Sequence, residues 1–121
     1  MKELFTLLKP DFEFTDTRGS LTQLVHEGFA QVNVLCTNAG VTRGGHYHKC
    51  CREAFYVVSG RAVVTLSQDG QEETQTFGQG TFFLIHPSVM HSIFFPEDCV
   101  MVAMYDRCVE IENGEKDIYT N

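Results

Sequence analysis

Residues 40–60 read GVTRGGHYHKCCREAFYVVSG, and this stretch decides the fold and the function that the sequence predicts. His46 and His48 are two positions apart, so in an extended strand both side chains project from the same face. Glu53 follows a short turn and opens the next apolar run, where a paired strand would bring its carboxylate beside the imidazoles. A further candidate, His91, lies downstream. Three imidazoles and one carboxylate suit a divalent transition metal, and they also suit proton transfer near neutral pH.

Short strands account for most of the remaining pattern. From position 20 onward, turn residues separate apolar or alternating runs at positions 21–25, 31–36, 55–58, 62–66, 73–77, 81–85, 92–95 and 100–105. Asp69 and Gly70 accept the positive φ angles of a tight turn and predict a hairpin. Helical periodicity is confined to one turn at residues 3–9. The sequence therefore predicts an all-β sandwich or small barrel.

Length and composition limit the function classes. The 121 residues suit a single domain spanning residues 1–121, with its barrel core at about residues 20–111. A net charge of −7 argues against a nucleic-acid partner, which requires a basic surface. No apolar run approaches the length of a membrane-spanning helix, and residues 1–10 lack a secretory signal pattern. We therefore expect a cytoplasmic protein with no membrane partner.

The five cysteines are an odd number and form no CxxC pair, which favours reduced thiols in the cytoplasm. Cys50 and Cys51 lie inside the proposed site loop. Neighbouring residues of an extended chain face opposite ways, so a packing role is favoured over shared metal ligation.

The spacing of Gly40, His46, His48, Glu53 and Gly60 resembles the first motif of the cupin superfamily at every position. This resemblance implies the cupin fold, which is a jelly-roll barrel also called a double-stranded β-helix. It also implies a homodimer, because cupin barrels commonly pair through edge strands.

A second cupin motif is matched in part. Gly80 and His91 stand where the family has a glycine and a histidine, whereas His86, Ser88 and Phe95 replace the family's proline, second glycine and asparagine. Joined to the first motif, the match implies a divalent metal, either zinc, nickel, manganese or iron. The implied ligands are His46, His48, Glu53 and His91.

Residues 43–49, RGGHYHK, are similar to a segment of RmlC-like cupins that act on nucleotide-linked 4-keto-6-deoxy sugars. In the 3,4-ketoisomerases that segment looks like Arg-Gly-x-His-Ala-His-Lys, with Tyr47 here in place of the alanine. Glu53 departs from the glutamine that those metal-free enzymes tend to carry. The cupin half of bifunctional capsular-sugar enzymes resembles the chain better, through Gly-x-His-x-His, the glutamate and VVSG at residues 57–60. The resemblance implies that Arg43 and Lys49 contact the substrate.

Residues 16–21, DTRGSL, are similar to the opening segment of the same sugar-nucleotide cupins. In those families the arginine, Arg18 here, tends to meet the diphosphate, and a guanidinium fork suits phosphate oxygens. A hairpin turn with a solvated arginine is an equally weighted alternative.

These features favour an isomerase or epimerase of a nucleotide-linked 4-keto-6-deoxy sugar, which would move a proton at the carbon beside the ketone. His46 would be the base or a ligand, with His48 as its partner. If a metal held both histidines, Tyr47 or Tyr56 would have to move the proton. Two alternatives stay open, namely a metal-dependent cupin oxygenase and a non-catalytic cupin that binds a small ligand or a carbohydrate.

Overall fold

Eleven strands and no helix form the part of the chain that the computed structural model describes, which is residues 3–49, 51–107 and 118–119. The strands are β1 (Phe5–Leu7), β2 (Phe12–Asp16), β3 (Gly19–Gln23), β4 (Gln31–Thr37), β5 (Thr42–His46), β6 (Glu53–Ser59), β7 (Arg61–Gln68), β8 (Gln71–Gly78), β9 (Phe82–Ile85), β10 (Met90–Phe94) and β11 (Cys99–Tyr105). None of these residues forms a helix long and apolar enough to cross a membrane. Cys50 and the end of the predicted barrel core, residues 108–111, lie outside the described residues.

Two antiparallel sheets pack face to face around a shared core. The five-stranded sheet has the order β1-β9-β6-β11-β4, and the four-stranded sheet has the order β5-β10-β7-β8. Strands β2 and β3 form a separate two-stranded ribbon. The architecture confirms the predicted all-β cupin jelly roll.

The main core lies between the sheets because inward-facing residues alternate along each strand. On β7, Ala62, Val64 and Leu66 have no exposed surface, and they share one apolar cluster with Phe55 and Val57 of β6. The even-numbered positions of β6 face the other way. They contribute to a smaller cluster on the outer face of the five-stranded sheet, built around Ala54, Phe82, Leu84 and Met104.

The hairpin predicted at Asp69 and Gly70 is confirmed. Both residues have positive φ, 51° and 79°, and they connect β7 to β8 with Gln68 opposite Gln71. This conformation is the one that a two-residue loop needs to match the twist of its strands.

The helical turn expected at residues 3–9 is wrong, because this segment contains β1. Phe5 pairs with Ile85 of β9, and its ring meets Phe77 edge-on with 5.4 Å between the centroids. Pairing with β9 satisfies backbone groups that a helix this short could not stabilise. The five-stranded sheet therefore starts before residue 20, where the sequence pattern places the beginning of the barrel.

Candidate metal and proton-transfer site

Four side chains from three strands and one loop meet at one end of the barrel. His46 is the last residue of β5 and His48 lies two residues beyond it, while Glu53 opens β6 and His91 lies on β10. Each of the four offers one ligand atom, and these atoms all lie within 4.8 Å of one another. The structure therefore brings together the whole set of metal ligands that the cupin motifs imply.

A close approach between β5 and β10 places His46 opposite His91. The two residues are register partners, and a bulge between His91 and Ser92 follows. Gly44 meets this bulge with a φ of 98°, and a Cβ at Gly44 would lie 2.8 Å from the carbonyl oxygen of His91. Both the dihedral angle and the distance require glycine, so Gly44 is the local reason that His46 reaches the site.

Glu53 is the centre of the cluster. Its Oε1 lies 3.0 Å from Nε2 of His48 and 3.2 Å from Nε2 of His91. All three residues are buried, with exposed fractions of 3% for Glu53, 4% for His48 and 2% for His91. Burial alone would raise the pKa of Glu53, but hydrogen bonds from the two imidazoles outweigh it and lower that pKa to about 2. The carboxylate is therefore ionised at neutral pH.

The orientation of His91 fits a cation at this point. Its Nδ1 lies 3.2 Å from the carbonyl oxygen of Val89, which can only accept, so Nδ1 carries a hydrogen. Its Nε2 faces the Glu53 carboxylate at 3.2 Å. A metal ion bound by both groups would have this Nε2 as a ligand atom. A backbone acceptor that fixes the second ring nitrogen is a common feature of metal-binding histidines.

His46 is more accessible than the other three residues and is only partly buried. Its ring centroid lies 4.7 Å from that of His91 and 5.2 Å from that of His48. Burial and then the nearby His91 lower the pKa of His46, so its imidazole is neutral at pH 7 and has a lone pair available.

Tyr105 belongs to this site although the sequence did not single it out. It lies directly opposite Glu53 in the β6–β11 pairing, and its ring meets His48 edge-on at 5.7 Å. Burial raises the pKa of the Tyr105 hydroxyl, and the charge of Glu53 and a hydrogen bond with it raise that pKa further. The phenol therefore stays protonated and can act as a donor. Its position at the end of an alternating run, where Met101 and Ala103 face inward, is the signal that could have found it.

The two tyrosines that were expected to move a proton lie elsewhere. Tyr47 points away from the neighbouring histidines, and its ring stacks on Tyr119 at 5.6 Å. Tyr56 lies on the outer face of the five-stranded sheet, where its ring meets Phe82 at 6.1 Å. Side chains alternate along a strand, so Tyr47 faces the side opposite to its two neighbouring histidines, and Tyr56 faces the side opposite to Glu53.

The three basic residues that were expected to contact substrate are separated. Arg43 lies three residues before His46, and its Nε–H donates to the buried hydroxyl of Thr37 at 2.8 Å. Arg18 lies at the tip of the β2–β3 ribbon, where it pairs with Asp16 at 2.6 Å and its side chain is 83% exposed. Nζ of Lys49 lies 4.3 Å from the centroid of the Tyr119 ring. Only Arg43 lies on a strand that also carries a cluster residue.

Comparison with known proteins identifies the family. A sequence profile described as the polysaccharide biosynthesis C-terminal domain matches residues 14–105, which is more than half of the chain. The chain belongs to this family. A comparison of this chain with curated protein sequences finds no match.

Several solved structures share the fold of this polysaccharide biosynthesis domain. The sugar 3,4-ketoisomerase QdtA from Thermoanaerobacterium thermosaccharolyticum, in complex with TDP, is 22% identical with a TM-score of 0.82, covering 100% of this chain and 90% of that one. A 3,4-ketoisomerase from Helicobacter canadensis is 16% identical with a TM-score of 0.80, covering 97% and 90%. The dTDP-4-dehydrorhamnose 3,5-epimerase from Sulfolobus tokodaii is 20% identical with a TM-score of 0.72, covering 87% and 71%. The domain therefore has the RmlC-like cupin fold.

Proposed function

We propose that this domain is an isomerase or epimerase of a nucleotide-linked 4-keto-6-deoxy sugar. The observation that carries the proposal is a neutral, partly accessible His46 beside the buried group of His48, Glu53 and His91. Solved structures of the same fold support the substrate class, since one is a 3,4-ketoisomerase in complex with TDP-4-keto-6-deoxyglucose.

In the proposed reaction, His46 takes a proton from the carbon beside the ketone. The electron pair of the broken C–H bond moves into the ketone and gives an enediolate, and the imidazolium then returns the proton. Return to the former carbonyl carbon moves the ketone, provided that the neighbouring hydroxyl gives up its proton and the former ketone oxygen gains one, whereas return from a second donor to the opposite face inverts the centre. An imidazole that is neutral near pH 7 is suited to both steps. Tyr105, and not Tyr47 or Tyr56, is the tyrosine proposed to move a proton, because its protonated hydroxyl lies at the cluster.

The three buried residues also fit a divalent transition metal. We assign His48, Glu53 and His91 as its ligands, because catalytic metal sites commonly use three protein ligands and leave a position open. His46 then keeps its lone pair for the base, which resolves the conflict that arises if both histidines bind metal. When bound, such an ion would stabilise the negative charge that develops on the substrate oxygen.

Arg43 is the proposed contact for the anionic part of the substrate. Its Nε–H bond to Thr37 fixes the plane of the guanidinium, and the terminal nitrogens can donate to phosphate or sugar oxygens. The case for Lys49 and Arg18 as substrate contacts is weaker, since Lys49 lies over Tyr119 and Arg18 is exposed at the ribbon tip.

A second copy of the chain is the proposed partner of the β2–β3 ribbon. Phe12, Phe14 and Leu21 are 53%, 46% and 55% exposed there, and Val32 and Val34 on β4 are 60% and 66% exposed. An isolated two-stranded ribbon is marginally stable in water, and apolar surfaces of this kind are usually covered. Light scattering should give the mass of a dimer, and Phe14→Ser should shift it towards the monomer.

Deuterium exchange tests the proposed reaction. The purified domain is incubated in deuterated water with thymidine- and uridine-linked 4-keto-6-deoxy sugars, and the products are analysed by NMR. We expect deuterium at a carbon beside the ketone with at least one sugar, and its loss in His46→Asn. Absence of exchange with every sugar would exclude the proposed reaction, and oxygen uptake with phenols or thiols would then favour the oxygenase.

A further inference from the structure

The C-terminal residues 118–119 return to the segment that carries two of the cluster histidines. The N–H of Tyr47 donates to the carbonyl oxygen of Tyr119 at 2.9 Å, and the N–H of Tyr119 donates to the carbonyl oxygen of Tyr47 at 3.0 Å. These reciprocal bonds form an antiparallel bridge centred on the residue between His46 and His48. Residues 118–119, the tail, are thus hydrogen-bonded to the backbone of the site itself.

Side chains reinforce this bridge on the face opposite the cluster. The rings of Tyr47 and Tyr119 are stacked with 5.6 Å between centroids and 29° between planes. On the same ring of Tyr119, Nζ of Lys49 lies at 4.3 Å, a cation–π distance. The backbone bridge, the ring stack and the cation–π contact therefore join Tyr119 to residues 47–49.

The histidine segment has a conformationally permissive beginning. It follows Gly44 and Gly45, whose φ angles of 98° and 77° lie in the region open to glycine. Among the strands of the described residues, β5 is at the edge of its sheet and is paired on one side with β10. On that side His46 lies opposite His91, and the N–H of Ser88 donates to the carbonyl oxygen of His48 at 2.6 Å. The tail supplies the hydrogen bonds on the other side.

We propose that residues 118–119 act as a strap, which holds the segment 46–48 so that both imidazoles converge with Glu53 and His91. Tyr119 is a positioning residue, because it contacts the backbone and ring of Tyr47 and acts on the histidines through them. The effect that the strap is expected to have on metal affinity rests on the metal site proposed above. The strap itself rests only on the contacts between Tyr47, Lys49 and Tyr119.

Tyr119→Pro tests the strap, because it removes both the ring and the N–H that donates to Tyr47. Tyr119→Phe is the matched control, since it keeps the ring stack and the backbone bonds. Hydrogen exchange of the Tyr47 amide is measured first, with amides of β7 as an internal reference for an intact barrel. Cobalt(II) affinity and the visible spectrum of the bound ion are measured next.

We expect faster exchange at Tyr47 in Tyr119→Pro, with unchanged β7 amides and a cobalt affinity lowered by about 10–100-fold, the range seen when a group that orients a ligand is lost. Tyr119→Phe should match the wild type. Unchanged Tyr47 exchange and unchanged affinity in Tyr119→Pro would overturn the proposal. If the wild type binds no cobalt, the metal site is wrong, and the Tyr47 amide alone decides whether the strap exists.

Discussion

The two halves of the candidate site differ in how they are held. Glu53, His91 and Tyr105 lie on β6, β10 and β11, each of which is paired on both sides within its sheet. His46 and His48 lie at the end of the edge strand β5 and in the loop beyond it, after two glycines with positive φ. The first half is fixed by the barrel, whereas the second depends on local contacts. The proposed metal site draws Glu53 and His91 from the fixed half and His48 from the other, so its geometry depends on both halves.

Glu53→Gln breaks the rigid half and should have the largest effect. The neutral amide loses the charge that lies 3.0 Å and 3.2 Å from the two imidazoles, so retained metal should fall to background in elemental analysis. The free energy of unfolding should drop by about 1–3 kcal/mol, because buried charge-assisted hydrogen bonds are lost. Glu97→Gln, at an exposed ion pair with Arg61, is the control and should change neither value. Full deuterium exchange by a metal-free Glu53→Gln domain would show that proton transfer does not need the ion.

Substitution of the two histidines separates their roles. His48→Asn should lose metal binding, because it removes a buried ligand of the proposed set. His46→Asn should keep the metal but slow deuterium exchange by about 10²–10⁴-fold, the usual contribution of a general base. Isothermal titration with zinc and the exchange assay measure the two effects. Equal loss of metal in both variants would mean that His46 is a fourth ligand and that Tyr105 must be tested as the proton carrier.

A glycine pair tests the close approach of β5 to β10. Gly44 and Gly45 both have positive φ, but only at Gly44 would a Cβ lie 2.8 Å from a backbone oxygen. Because the dihedral strain is shared, Gly44→Ala should lower the free energy of unfolding by about 1–3 kcal/mol more than Gly45→Ala, the cost of overpacking. Urea unfolding monitored by fluorescence gives both values. Equal losses would show that β10 moves aside without cost.

Tyr105→Phe should give the smallest effect. Loss of the hydroxyl opposite Glu53 should weaken metal binding by about tenfold, because the carboxylate loses a group that orients it. Tyr56→Phe is a matched control on the other face of the same sheet, and its metal affinity should equal that of the wild type. If the two variants bind metal equally, Tyr105 has no part in holding Glu53.

The sequence predicted the site better than the parts that surround it. His46, His48, Glu53 and His91 could be found because their spacing follows from strand periodicity and from a family motif. The same periodicity argues against Tyr56, which has the opposite parity to Glu53 on β6. It places Tyr105 on the inward face of β11, but it could not show that this residue meets Glu53, because that pairing depends on the register of β6 with β11.

Three strands, β1, β2 and β5, lie outside the runs that predicted strands, and the physical reason is clear for β1 and β5. β1 is three residues long, and its strand form depends on pairing with β9, about eighty positions away along the chain. β5 contains two consecutive glycines and has no apolar run, so its extended form is imposed by β10. Both strands are set by partners far along the chain, which local patterns do not report.

The pairing of β11 between β4 and β6 bears on the order of events during folding. Tyr105 must align with Gln31 on one neighbour and with Glu53 on the other before the barrel closes. Such distant pairings make folding slow, on a scale of about milliseconds to seconds. Because Glu53 and His91 lie on different sheets, the full set of proposed ligands exists only once the two sheets have packed together.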